Sequence, residues 1–261
     1  MTGLRIGLVQ MEIADGRPLE NLERAVGLIR AAPPAGLYLL PELWSTGYAH
    51  ATWRTSAATQ TPALCDALQR LATERGACIA GSMISCNDTG RLTNRLWLFA
   101  PDGGRPTTYD KGHLFPPLQE DRYLAAGERR VQVAIAGWTA ALSICFDLRF
   151  PEMYRRDALD GAELFLVVAE WPATRASALR VLARARAIEN HAFLALCNRP
   201  GTAADGLVFG GGSALFAPDG SLVVEANGDE DVVVGVAERE LLVQARRLAP
   251  VLELRRPGLD W

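Results

Sequence analysis

Three residues that could do chemistry together stand at the ends of apolar segments, far apart along this chain. Cys145 closes the run Thr139-Ala-Ala-Leu-Ser-Ile-Cys145-Phe146-Asp147, which reads as a buried strand whose last residue is a thiol, placed where the chain turns towards a helix. A thiol in that position, with the N–H of Phe146 free to face a reacting oxygen, is a candidate nucleophile. Glu42 follows the apolar Leu39-Leu40-Pro41. A partly desolvated glutamate has its pKa raised towards neutrality, which suits general acid–base work. Lys111 lies in Thr108-Tyr109-Asp110-Lys111-Gly112-His113. A positioned ammonium polarises a carbonyl and favours a neighbouring thiolate. Each residue also has an ordinary explanation. Cys145 alone reads as a small buried hydrophobe, Glu42 as a solvated or capping carboxylate, and Lys111 as a surface cation. Taken together they form a complete set for acyl transfer: a base, an oxyanion donor and a nucleophile.

The elements that must hold these residues are written in two similar halves. Leu4–Gln10 reads as a strand, and Leu19–Ala32 carries helical spacing through Leu22, Ala25, Val26 and Ile29. A short buried strand then leads into Pro41-Glu42. Pro62–Arg75 reads as a helix closed by Gly76, and strands follow at Ala77–Ile84 and Arg91–Ala100. Ala100-Pro-Asp-Gly103 is a hairpin turn in which proline presets φ and glycine accepts a positive one. The second half repeats this order. A strand ends at Cys145 and a helix follows near Glu152–Leu159, Glu163–Ala169 is a strand ending in Glu170-Trp171, and Ala178–Asn190 is a helix with Val181, Ala185 and Ile188 on one apolar face. Strands at Ala192–Asn198 and Gly212–Phe216 follow, and Ala217-Pro-Asp-Gly220 turns the chain in the words of the first half. Leu37–Trp44 even echoes Leu164–Trp171. Alternating strands and helices imply α/β units, and strands apolar on both faces must be covered on both. The expectation is an α/β fold, a four-layer α-β-β-α sandwich of two mixed sheets, with residues 1–261 as one domain.

Composition excludes several classes of function. The chain has 261 residues, is 49% hydrophobic and 22% charged, and carries a formal charge of −3 with no basic stripe, so no nucleic-acid partner is expected. No apolar run reaches the length of a membrane span, and nothing at the N-terminus resembles a secretion signal. The five cysteines show no paired spacing, which points to reduced thiols in the cytoplasm. No His/Cys cluster has metal spacing, and the chemistry outlined above requires no metal or organic cofactor.

The segments Leu40-Pro41-Glu42, Tyr109-Asp110-Lys111-Gly112-His113-Leu114-Phe115 and Cys145-Phe146-Asp147-Leu148-Arg149-Phe150-Pro151-Glu152 resemble the three signature blocks of the carbon–nitrogen hydrolase (nitrilase) superfamily. Trp171-Pro172-Ala-Thr-Arg175, Ala185–Asn190 and Asn198-Arg199 are similar to a fourth. The resemblance runs from Leu4 to about Ala237. It implies a Glu-Lys-Cys triad at Glu42, Lys111 and Cys145. It also implies a second glutamate that orients substrate, at Glu120 with Asp121 and Glu128 nearby, and a homodimer paired through its sandwiches. Residues 250–261 are placed at that dimer interface. Within the superfamily the motifs look most like the omega-amidase and deaminated-glutathione-amidase branches. The expected reaction is hydrolysis of a small amide through a cysteine thioester, releasing ammonia and a carboxylic acid. Phe146 supplies its backbone N–H, Tyr48 and Trp171 line the pocket or pack as core, and Arg149 and Arg175 are candidates for a substrate carboxylate. For Arg149, pairing with Asp147 or Glu152 is the favoured alternative. Arg186, Glu189 and Asn190 are expected on a helix surface or a subunit contact. Two positions depart from common patterns: Phe146 lacks the hydroxyl of a tyrosine, and Glu170 stands where many relatives have a small or amide residue. Rival readings are a nitrilase, an N-carbamoyl hydrolase, a Cys145 dyad with His113 or His191, and a non-catalytic scaffold.

Overall fold

The computed structural model describes residues 3–256. Fourteen strands occur among them. They are β1 Leu4–Gln10, β2 Leu37–Leu39, β3 Cys78–Cys86, β4 Leu92–Phe99, β5 Thr107–Asp110, β6 Gln132–Ile135, β7 Trp138–Ile144, β8 Leu164–Ala169, β9 Phe193–Asn198, β10 Pro200–Thr202, β11 Val208–Gly210, β12 Ala214–Phe216, β13 Leu222–Glu225 and β14 Asp231–Ala237. The α-helices are α1 Pro18–Ala31, α2 His50–Thr55, α3 Thr61–Arg75, α4 Glu120–Tyr123, α5 Pro151–Leu159, α6 Ala176–Asn190 and α7 Arg239–Leu248.

Two six-stranded sheets carry the architecture, ordered β14-β1-β2-β3-β4-β5 and β13-β12-β9-β8-β7-β6. From β14 to β5 the pairings run antiparallel, parallel, parallel, antiparallel, antiparallel. From β6 to β13 the succession is the same. The two halves of the sequence thus build two equivalent sheets, and both Pro-Asp-Gly turns occupy the equivalent hairpin. Gly103 and Gly220 sit there at φ 75° and 80°, a region that costs a Cβ-bearing residue energy.

Period-two alternation decides the layers. Ile6, Leu8, Leu37, Leu39, Ala80, Leu96 and Leu98 join the core shared with sheet two. Val9, Tyr38, Ile79 and Met83 form a second core with Ala25 and Ile29 of α1 and Leu64, Leu68 and Leu71 of α3. On sheet two, Tyr154 of α5 packs edge-on to Phe165 at 5.1 Å, and Leu179, Ala183 and Ala187 of α6 complete that layer. The order is α-β-β-α, as expected.

One helical face differs from expectation. In α6 the buried positions are Leu179, Ala183, Arg186, Ala187 and Asn190, whereas Val181 and Ile188 are 67% and 42% exposed. The inward stripe runs through those buried positions, so Val181 and Ile188 fall on the opposite face of the helix. The β10–β11 hairpin and the antiparallel addition of β14 to β1 carry no strong local signal and are additions to the expected elements. The last five residues of the tail proposed for an interface lie outside the described residues. No helix among those described is long and apolar enough to cross a membrane.

Candidate active site

The parallel strands of both sheets end on one side of the sandwich, and the polar side chains gather there. Glu42 comes two residues after β2 has handed on to Leu40, whose N–H bonds the Ala80 carbonyl at 2.7 Å. Lys111 directly follows β5, with its N–H on the Asn94 carbonyl and its own carbonyl accepting Gly127 N–H. Gly127 is required for that approach, since a Cβ there would collide with the Asp110 carbonyl. Glu120 opens α4, and Cys145 directly follows β7 as the first residue of a 3-10 turn, Cys145–Arg149. Backbone strain concentrates at these points. Leu43 after Glu42, Gln119 before Glu120, and Cys145 itself have φ of 42°, 59° and 48°, a conformation that costs non-glycine residues on the order of 1–3 kcal/mol each.

Lys111 is the hub. Its Nζ lies 2.8 Å from Glu42 Oε1 and 2.8 Å from Glu120 Oε2, with all three side chains fully buried. Asn94 Nδ2 donates to Glu42 Oε1 at 2.8 Å, Tyr48 OH to Glu120 Oε1 at 2.9 Å, and Phe115 N–H to Glu120 Oε2 at 2.7 Å. Glu42 Oε2 accepts the Glu170 N–H at 2.9 Å. The Cys145 thiol lies close enough to Glu42 and Lys111 for the carboxylate and the ammonium each to act on its proton. An ammonium has three protons. Those on Lys111 face Glu42 Oε1 at 2.8 Å and both oxygens of Glu120, at 2.8 and 2.9 Å.

Burial sets the protonation states. Desolvation would strip the proton from Lys111, but the Glu120 and Glu42 carboxylates outweigh it and hold the ammonium well above its usual range. Desolvation raises the Glu42 pKa, and Lys111 opposes that rise. Cys145 is pushed well above a normal thiol by burial and then by the Glu42 carboxylate, with Lys111 pulling the other way. The expectation that Lys111 favours the thiolate is therefore only half met: the resting sulfur is a thiol, and its proton must pass to Glu42 as the sulfur attacks. Desolvation also pushes Glu170 up to about 8, against the opposing Arg199.

A second buried acid fixes the turn that carries the sulfur. Asp147 Oδ1 accepts His113 N–H at 2.9 Å and meets His113 Nδ1 at 2.8 Å, while Oδ2 accepts Tyr109 OH at 2.7 Å and Ile144 N–H at 3.0 Å. Asp147 thus ties the Lys111 loop to the Cys145 turn. Arg186 donates from Nε to the Leu148 carbonyl at 3.1 Å and is 5% exposed. Its expected place on a helix surface is corrected: it clamps the same turn from behind. Phe146 is the second residue of that turn, at its N-terminal end, where no residue of the turn can accept its N–H.

A cleft of about 260 Å3, counting its open mouth, leads to Cys145 between Phe115, Phe146, Arg149, Glu170, Trp171, Pro172 and Arg175. The expected residues Phe146, Trp171 and Arg175 all line it, whereas Tyr48 lies deeper, on the carboxylates. Arg149 does not pair with Asp147 or Glu152. Its guanidinium sits 5.2 Å above the Trp171 ring, because Asp147 is already saturated by the Lys111 loop. Glu120 takes the second-glutamate position, and Asp121 and Glu128 are exposed. Asn94 is a site residue that sequence reasoning misses. Its signal is a carboxamide in the inward-facing set of β4, in line with Leu96 and Leu98. His113 is committed to Asp147 and stacks on Phe150 at 3.6 Å, and His191 caps α6.

The family model for carbon-nitrogen hydrolases matches residues 5–247. This chain belongs to the carbon–nitrogen hydrolase family. A 2-oxoglutaramate amidase of Bacillus subtilis (strain 168) is 30% identical over 95% of this chain and 96% of its own length. XC1258 from Xanthomonas campestris, a superfamily protein solved with an arsenic adduct in its active site, is 32% identical, covers 98% of both chains and superposes with a TM-score of 0.92. A variant of the amidase from Nesterenkonia sp. AN1 is 28% identical over 99% of this chain and 95% of that one, with a TM-score of 0.88. It carries the acetamide moiety of fluoroacetamide covalently added at its active-site cysteine. As a member of that family, this chain is a hydrolase of carbon–nitrogen bonds.

Proposed function

We propose that this carbon–nitrogen hydrolase is an omega-amidase-like enzyme that uses Cys145, Glu42 and Lys111 as nucleophile, base and oxyanion donor. It releases ammonia and a carboxylic acid through a thioester. The observation that carries the reading is the fully buried Lys111 held between Glu42 and Glu120, with the Cys145 thiol within reach of both the Glu42 and Lys111 charges. Glu42 accepts the thiol proton as sulfur attacks the amide carbon. The oxyanion falls to the Lys111 ammonium and the Phe146 N–H; losing one such donor typically costs roughly 10²- to 10³-fold in rate. Glu42 returns the proton to nitrogen as the C–N bond breaks, then activates the water that opens the thioester. Glu120 holds the ammonium in register, itself oriented by Tyr48 and the Phe115 N–H. No step needs a metal or organic cofactor.

The cleft favours a small amide with a carboxylate at its far end. Arg149 and Arg175 flank Trp171 at the cleft wall, and a guanidinium reads a carboxylate with paired donors. The relative named for 2-oxoglutaramate supports that class. We place the enzyme in the cytoplasm as a homodimer, with the outward Val181 and Ile188 of α6 available to a second copy. A panel of small omega-amides, matched nitriles and N-carbamoyl compounds, read by ammonia release, tests the assignment. The omega-carboxylated amides should dominate; a nitrile or carbamoyl preference would replace the reading with its nearest rivals.

A further inference from the structure

Among the residues lining the cleft, Glu170 is the carboxyl group that the reaction scheme leaves unused. Its Oε2 accepts Arg199 Nη1 at 2.8 Å. Arg199 is held in turn by Asp15 Oδ1 at 3.0 Å and the Ile13 carbonyl at 2.8 Å. Glu170 is 1% exposed, and its Oε1 is buried without a hydrogen-bond partner. The same residue lines the cleft beside Cys145. A buried polar atom with no partner carries a desolvation cost, and one on a residue that lines a substrate cleft is a place for a ligand to complete the bond.

Glu42 dictates what sits opposite that oxygen. Glu42 Oε1 is occupied by Lys111 and Asn94. Glu42 Oε2 has a single backbone donor, the Glu170 N–H, which leaves its second lone pair for the Cys145 proton. Proton transfer therefore falls to Oε2. Glu170 follows directly on that oxygen through its N–H and lines the cleft, so its side chain is a candidate partner for the nitrogen that takes the proton from Oε2.

We propose that Glu170 Oε1 accepts an N–H of the departing amide nitrogen, which makes the site selective for primary amides over esters of the same acyl group. The inference rests on the amidase reading and extends it to how the leaving group is recognised. A primary amide presents two N–H donors, whereas an ester presents oxygen lone pairs to a carboxylate oxygen. No proton is lost to Glu170. The nitrogen keeps its two hydrogens, gains the former thiol proton from Glu42 as the C–N bond breaks, and leaves as ammonia. The groups facing the Glu170 carboxyl are Arg199, which favours its ionised acceptor form, and Glu42 and Asp15, which oppose it.

The decisive variant is Glu170→Gln. Arg199 only donates, so the introduced carboxamide must turn its oxygen to Arg199 and its NH₂ to the cleft, reversing hydrogen-bond polarity at constant shape. A primary omega-amide and the methyl ester of the same acid are compared by ammonia and methanol release at about pH 9, roughly one unit above the Glu170 range. The variant's amide kcat/KM should fall roughly 10- to 100-fold, the loss of a hydrogen bond to a charged group, while the ester is held or improved. Cys145 alkylation by N-ethylmaleimide should be unchanged. A folded variant whose amide-to-ester ratio stays within about twofold of the wild type overturns the inference. If the variant fails to fold, the wild type decides: a higher kcat/KM for the amide than for the intrinsically more reactive ester supports the inference, and a preference for the ester overturns it. A wild type that hydrolyses nitriles or carbamoyl compounds and no amide removes the amidase reading itself, and this inference with it.

Discussion

Substituting Asp147→Asn tests whether the carboxylate behind the sulfur positions the Cys145 turn. Each Asp147 oxygen accepts one backbone N–H, that of His113 on Oδ1 and that of Ile144 on Oδ2. An asparagine has one oxygen, so its NH₂ must oppose one of those two donors in a fully buried site. Tyr109 OH can rotate to accept from the NH₂, and His113 can change tautomer, but a backbone N–H cannot adapt. One orphaned buried donor costs about 1–3 kcal/mol, and weakening the remaining charge-assisted bonds adds about 1 kcal/mol, for a total of roughly 2–4 kcal/mol. At roughly 2–4 °C per kcal/mol for a chain of this size, the melting temperature should fall by about 4–16 °C. Ile144 immediately precedes the strained Cys145, so kcat should fall as well, on the order of 10²-fold for a shift of about 1 Å. KM should change little, because Asp147 does not line the cleft. Thermal melts and separate kcat and KM values from ammonia release measure both effects. An Asp147→Asn protein with wild-type melting temperature and kcat would refute the positioning argument.

Three further outcomes follow from the same contacts. Lys111→Met leaves two buried carboxylates facing each other and should cost about 3–5 kcal/mol; thermal melts should show a smaller deficit at acid pH, where the carboxylates can take up protons. Glu170 folds with its carboxyl raised from 4.5 to about 8, so the folded state binds that proton more tightly than the unfolded chain. The stability it contributes is complete below about pH 4.5 and is lost as pH rises through about 8; denaturant titrations from pH 5 to 9 should show a flatter decline for Glu170→Gln than for the wild type. Arg149→Ala should raise KM for an omega-carboxylated amide about tenfold or more relative to an uncharged amide of the same length; equal effects on both would remove Arg149 from carboxylate recognition.

Much of the site is legible in the sequence because each block couples a local signal to a strand end. The apolar runs before Glu42 and Cys145 announce buried strands, and parallel strands in such sheets present their carboxyl ends together. The repeated Pro-Asp-Gly turns announce two equivalent sheets, and the pairing order bears this out. What stays hidden depends on tertiary contact. The inward face of α6 is misleading because Val181 and Ile188 look like core by type, whereas the face turned inward carries Leu179, Ala183 and Ala187 together with the polar Arg186 and Asn190. Asn94 escapes notice because its strand reads as ordinary until Lys111 and Glu42 are brought against it. Proximity in sequence assigns Arg149 to Asp147, but Tyr109 and His113 reach that carboxylate from another loop. Glu170 stands out by its type, yet neither its salt bridge to Arg199 nor its unpartnered oxygen is visible until the end of β9 is brought beside it.

Intact mass and ammonia release, followed together after mixing the protein with a small omega-amide, test the central claim most directly. The wild type should gain the mass of one acyl group, mapped to Cys145, while ammonia accumulates, and Cys145→Ala should show neither the adduct nor the ammonia. Ammonia release by Cys145→Ala at the wild-type rate would contradict the account.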